Sequence, residues 1–155
     1  MQFGGTYLFT ATREELWRAL NDAELLKAAI PGCRRLDWVS ESALEAAISV
    51  NLGVSRPTFK GDLTLSNVRP AQSYTLSGRG RGGLLGLAGG SADITLTDHD
   101  AGCVLDFDAS GSASGAIVKL GRKLLGASAQ RVIDGFFERF ATAMRREVRS
   151  LRDDN

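Results

Sequence analysis

His99 is the only histidine in the chain, and it stands in the turn-forming run Asp98-His99-Asp100-Ala101-Gly102. A general base or metal ligand works from a cleft with partners around it, whereas a histidine in a hairpin turn points to solvent. Cys33 and Cys103 are far apart, with no Cys-x-x-Cys spacing and no histidine beside either, so they read as reduced, partly buried thiols. No Gly-x-Ser-x-Gly turn is present to expose a strained nucleophile. Asp93, Asp106 and Asp108 fall on the outward register of their strands, whereas paired acid–base carboxylates should line a pocket. The glycine-rich run from Gly78 to Gly90 lacks the lysine and Ser/Thr that a phosphate loop needs after its last glycine. Here Gly89-Gly90 leads into Ser91-Ala92 and a strand pattern. These residues argue against an enzyme, a metal site, a nucleotide site or a covalent cofactor.

The same run reads better as an apolar loop. Its tip, Leu84-Leu85-Gly86-Leu87-Ala88, is flanked by Arg79 and Arg81. Mobile glycines beside exposed leucines and arginines suit a gate over a ligand portal, a plug, or a contact with a membrane surface or partner.

Composition bounds what such a loop serves. At 155 residues, the chain fits one domain able to bury a core without disulfides. We expect that domain over residues 1–152, with a short polar tail at 153–155. The +1 formal charge provides no global attraction for nucleic acid. Met1-Gln2-Phe3-Gly4-Gly5 carries no basic n-region, and no run approaches the ~20 apolar residues of a membrane span. A cytoplasmic location is expected, with any membrane contact peripheral and on the inner face.

The elements that must position these residues follow from periodicity. Gln2 to Phe9 reads as a strand. Thr12 and Glu15 form a Thr-x-x-Glu capping box ahead of Leu16, Trp17 and Leu20. Asn21 or Asp22 caps a second short helix that Pro31-Gly32 stops. From Leu36 to Gly111 the period is two: Leu44, Ala46, Ile48 and Val50; Phe59, Gly61, Leu63 and Leu65; Tyr74 and Leu76; Ala92, Ile94 and Leu96; Cys103, Leu105, Phe107 and Ala109. One buried and one wet face of an antiparallel sheet produce this pattern, in about six strands plus the N-terminal one. From a cap at Ser114, Ile117, Leu120, Leu124, Phe136, Phe137, Phe140, Met144 and Val148 predict one long helix of ~50 Å. The excess of cations there, including Arg131, Arg139, Arg145, Arg146 and Arg149, predicts either a basic helix face or a solvated one. The fold class is α+β: a curved antiparallel sheet of about seven strands around a long C-terminal helix, with two short helices after strand 1.

Several stretches resemble the CoxG family, the G subunits of carbon monoxide dehydrogenase, within the SRPBCC, or START-like and Bet v 1-like, helix-grip superfamily. They are Ile30-Pro31-Gly32-Cys33, Phe59-Lys60-Gly61, the run from Ser73 to Gly83, Gly90-Ser91-Ala92 and Phe136-Phe137-Glu138-Arg139-Phe140. The resemblance implies the helix-grip fold and an accessory role beside a molybdenum hydroxylase of the carbon monoxide dehydrogenase type, involving the membrane or a lipid-like quinone. Some longer family members continue into a linker and a hydrophobic segment. This sequence ends at Leu151-Arg152-Asp153-Asp154-Asn155, so a carrier is expected rather than a tether.

Such a carrier needs an apolar cavity between sheet and helix. Ile48, Val50, Phe59, Leu63, Leu76, Phe107, Leu120 and Leu124 are the expected lining, with Leu84, Leu85 and Leu87 at the mouth. The small inward residues Ala46, Gly61, Gly78, Ala109 and Gly111 leave room. The expected cargo is a quinone- or lipid-like molecule bound without metal. The alternatives are a polyketide cyclase- or hydrolase-like pocket enzyme, supported by an inward Tyr74 hydroxyl, and a ligand-free protein–protein adaptor.

Overall fold

The computed structural model describes residues 2–49, 53–81, 87–113 and 129–151. Within these the strands are β1 (Gln2–Phe9), β2 (Cys33–Ser40), β3 (Ala43–Ser49), β4 (Thr58–Arg69), β5 (Ser73–Arg81), β6 (Leu87–His99), β7 (Gly102–Ala113) and β8 (Val148–Ser150). The helices are α1 (Arg13–Leu20), α2 (Ala23–Ala29) and α3 (Ala129–Ala143). One antiparallel sheet runs in the order β2-β3-β4-β5-β6-β7-β1-β8. Register shifts between Cys33 and Arg35, Trp38 and Ser40, and Ser66 and Arg69 mark irregular pairing, the kind of local insertion that bends a strand and increases its twist.

Local chemistry sets the element ends much as the spacing predicts. The Thr12 side chain accepts from the Glu15 amide at 3.1 Å, while the Glu15 carboxylate reaches back to the Thr12 amide, closing the capping box. Asp22, not Asn21, caps α2, accepting from the amides of Glu24 and Leu25. Gly32 follows at φ +75°, where a Cβ would stand 2.2 Å from the Ser49 carbonyl oxygen. Only glycine lets the chain turn that close to β3. His99 is exposed and its Nδ1 accepts from the Ala101 amide, so it supports its own hairpin turn.

The C-terminal region departs from expectation in two ways. The described helix is short: fifteen residues, about 22 Å at 1.5 Å per residue. It ends at Ala143 instead of continuing through Val148. The Arg146 amide donates to the Ala141 carbonyl and the Arg145 amide to that of Thr142. These two bonds are a Schellman motif, which needs a left-handed residue one position past the cap. Arg145 takes that place at φ +59°. The chain then forms an eighth strand, β8, along the free edge of β1, pairing Tyr7 with Ser150 and Phe9 with Val148. The start of the expected helix, residues 114–128, lies outside the described residues.

The core sits where α3 covers one face of the sheet. Phe137 is its hub, with ring centroids 4.4 Å from Tyr7, 5.8 Å from Phe107, 6.2 Å from Phe9 and 5.1 Å from Phe136. Burying rings of this size contributes roughly 2–3 kcal/mol each, and edge-on pairs add about 0.5–1.5 kcal/mol. Two polar contacts set the helix against its neighbours. The Tyr7 hydroxyl donates to Asp134 Oδ1 at 2.7 Å, and Arg139 Nε donates to the Ala29 carbonyl at the end of α2 at 2.9 Å. No described helix is long and apolar enough to cross a membrane.

Candidate ligand-binding interior

Cross-strand register turns the predicted alternation into rows. Tyr7, Leu105 and Leu96 form one row, and Phe107, Ile94 and Tyr74 the next. Above them come Ala109, Ala92, Leu76 and Leu65, then Gly111, Gly90, Gly78, Leu63 and Leu44. A further row joins Gly80, Gly61, Ala46 and Leu36, and the last pairs Phe59 with Ile48. Strand side chains alternate between faces, so these rows share the face that α3 packs against.

The rows divide into two regions. Tyr7, Leu105, Leu96, Ile94 and Tyr74 are buried, closed over by Phe137, Phe140 and the residues of α1. Higher up, Leu76, Leu63, Phe59 and Ile48 lie on the same face yet are only half-buried, whereas Ala92, Leu44 and Leu36 in these rows are buried. Small residues fill the rows between them. A large side chain at those positions would occupy the interior, and Gly78 already stands 3.1 Å from Leu63 Cδ2 when given a Cβ. The result is an aromatic floor beneath an apolar band in which small residues on β5, β6 and β7 stand beside large ones on β3 and β4.

Of the predicted lining, Ile48, Phe59, Leu63, Leu76 and Phe107 are brought to this one face. Phe107 belongs to the floor, against Phe137, and not to the band. Leu87 begins β6 and pairs with Arg81. Val50, Leu84, Leu85, Leu120 and Leu124 lie outside the described residues.

Other candidates separate by face. Asp93, Asp106 and Asp108 are exposed on the opposite face, where Asp93 accepts from Thr75 Oγ1 and Asp106 from Thr6 Oγ1. Cys103 is buried and Cys33 half-buried, both as free thiols, and burial pushes both thiols up from their ordinary value. Cys33 also borders an open groove of about 320 Å³ with Gly32, Arg34, Ser49 and Arg56. That groove carries two arginines and lies beside the start of β2 and the end of β3. Of the cations counted toward the last helix, Lys119, Arg122 and Lys123 lie outside the described residues. Arg139 binds a backbone carbonyl, Arg145 and Arg146 follow the helix, and Arg149 belongs to β8.

Two interior groups went unread in the sequence. The Tyr7–Asp134 pair joins residues 127 positions apart. Asp134 precedes Phe137 by three residues, which does place a carboxylate on the inward helix face; its partner needed the sheet. Trp17 meets Tyr74 edge-on at 5.4 Å, a contact with no local sequence signature.

Comparison with known proteins agrees with this geometry. No curated protein sequence matches the chain significantly. Among solved structures, a conserved protein from Geobacillus kaustophilus superposes with a TM-score of 0.78 at 23% identity, covering 96% of this chain and 99% of that one. The Zhui aromatase/cyclase from a Streptomyces species gives 0.59 at 15%, covering 94% and 93%. The di-domain aromatase/cyclase StfQ of steffimycin biosynthesis gives 0.62 at 13%, covering 93% of this chain and 50% of that one. At such identities these likenesses establish the fold alone. A family model for the G subunit of carbon monoxide dehydrogenase matches residues 5–145, from the Gly5 beside Tyr7 through the Schellman turn. The chain belongs to that family, CoxG.

Proposed function

We propose that this chain binds a hydrophobic small molecule, quinone- or lipid-like, between the sheet and its C-terminal helix. It serves as an accessory carrier, or membrane-recruitment protein, for a molybdenum hydroxylase of the carbon monoxide dehydrogenase type. The family name supports the partner. The observation that carries the binding role is the band of small residues with half-buried Leu63, Leu76, Phe59 and Ile48 above the aromatic floor. A packed core puts its apolar side chains fully inside. An inward face left partly open suits a pocket that takes most of its affinity from apolar burial. Arg81 and Leu87 pair at the ends of β5 and β6, beyond the glycine rows. The leucine tip between them is placed in sequence to gate the opening. The carrier works in the cytoplasm, with transient contact at the inner face of the membrane.

Native mass spectrometry of gently purified protein tests this. A bound apolar species is expected, together with a rise in Tm on adding a prenylated quinone; saturation at a hundredfold over Kd stabilises by about 2.7 kcal/mol. Ala46→Phe fills the band and is expected to abolish both effects while the fold persists. Clean apo protein with no thermal response to quinones or lipids refutes the carrier and leaves the adaptor.

A pocket enzyme is the second reading. Its support is Tyr74, a phenol buried on the inward face. Conversion of a polyketide-type substrate by the purified chain, lost in Tyr74→Phe, would establish it.

A further inference from the structure

Two phenols stand on the inward face, and their surroundings differ. Tyr7 donates its hydroxyl to Asp134. Tyr74 is only 6% exposed, in the row with Ile94 and Phe107, edge-on to Trp17. No hydrogen bond joins its hydroxyl to any described residue. No described buried side-chain oxygen both lacks a partner and is sealed from contact, so the Tyr74 hydroxyl opens onto accessible space. Polar groups on an apolar interior face are normally given a partner, and here only a ligand or water reaching that space can supply one.

We infer that Tyr74 is the polar anchor of the interior, donating a hydrogen bond to an oxygen acceptor, such as a carbonyl, on an otherwise apolar ligand. This rests on the carrier reading and narrows it, because a plain hydrocarbon would leave the donor unsatisfied. Position fits the role. Tyr74 and Ile94 are buried in the row below Leu76 and the small residues, with half-buried Phe107 beside them. Burial also raises the phenol well above its ordinary pKa, with no charge contributing. The group therefore stays protonated at neutral pH and acts as a donor, not a base. Orientation follows as well: the oxygen-bearing end of the ligand lies against β5 and α1, and its apolar remainder runs along the glycine rows toward Phe59 and Ile48.

The test pairs a farnesylated naphthoquinone with the farnesylated naphthalene that lacks its two carbonyls. Isothermal titration calorimetry measures both compounds on the full chain and on Tyr74→Phe. The variant is expected to bind the quinone roughly threefold to tenfold more weakly and the hydrocarbon as tightly as before. Its Tm without ligand is expected to hold or rise, because no intramolecular bond is lost. Trp17 supplies a second readout: quinone quenching of its emission, in a Trp38→Phe background, is expected to weaken in parallel. Equal effects on the two compounds, no effect on either, or a clear drop in unliganded Tm overturns the anchor while leaving the carrier intact. Failure of the unmodified chain to bind either compound overturns both.

Discussion

Arg145→Gly is expected to stabilise this protein, although it removes a charged side chain and adds a flexible residue. Arg145 sits at φ +59°, held by the two amide bonds that end α3. A Cβ in that conformation crowds the backbone and costs roughly 1–2 kcal/mol; glycine is free of that cost. Glycine also widens the unfolded ensemble, which costs about 0.4–1 kcal/mol. The difference is a net gain of about 0.5–1 kcal/mol. For a chain of this length each kcal/mol moves Tm by about 2–4 °C, so a rise of ~1–4 °C is expected. Thermal melts and urea midpoints followed by circular dichroism measure it, with Arg145→Ala as the control. Alanine keeps the Cβ, so it should lie within about 0.5 kcal/mol of the unmodified chain. If the glycine variant is no more stable than the alanine variant, backbone strain does not explain how this helix ends.

Tyr7→Phe removes the hydroxyl that bridges β1 to Asp134 and is expected to lower the urea midpoint by an amount equivalent to about 1–2 kcal/mol, since a bond to a carboxylate exceeds a neutral one. Gly32→Ala forces a Cβ toward the Ser49 carbonyl and is expected to destabilise by at least about 2 kcal/mol in the same assay, with hydrogen exchange rising first in β2 and β3. Glu15 is held below the ordinary carboxylate range, chiefly by its hydrogen bond from Arg146 and then by Thr12. Its folded pKa is depressed, so its contribution is complete above about pH 4.3 and fades as pH falls through the lower folded value. Glu15→Gln is expected to flatten that part of the acid-unfolding curve, seen as a smaller loss of Tm between about pH 5 and 3.

Seven strands and two short helices were legible in the chain because each carries a strong local signal. In β6, Ala92, Ile94 and Leu96 alternate with Asp93, Thr95 and Thr97, and a one-residue slip would put all three apolar side chains in water. Thr12 with Glu15, and Gly32 after Pro31, announce their ends through specific hydrogen bonds and a specific φ. That Ile48, Phe59, Leu63, Leu76 and Phe107 share one face followed from the same period.

What tertiary structure alone decided concerns segments whose local chemistry is silent or misleading. A helix that stops at Ala143 with arginine in the left-handed position shows no glycine or proline to mark it, so apolar spacing carried the expectation on through Met144 and Val148. Three residues, Val148 to Ser150, are too few to display a period; they become a strand because β1 offers an unpaired edge at Tyr7 to Phe9. The Tyr7–Asp134 bond and the isolation of the Tyr74 hydroxyl likewise depend on which distant groups the folded sheet brings near. Alternation told which face is apolar. Only the folded chain told where that face is closed by aromatic rings, because closure depends on the volume of side chains arriving from elsewhere in the sequence.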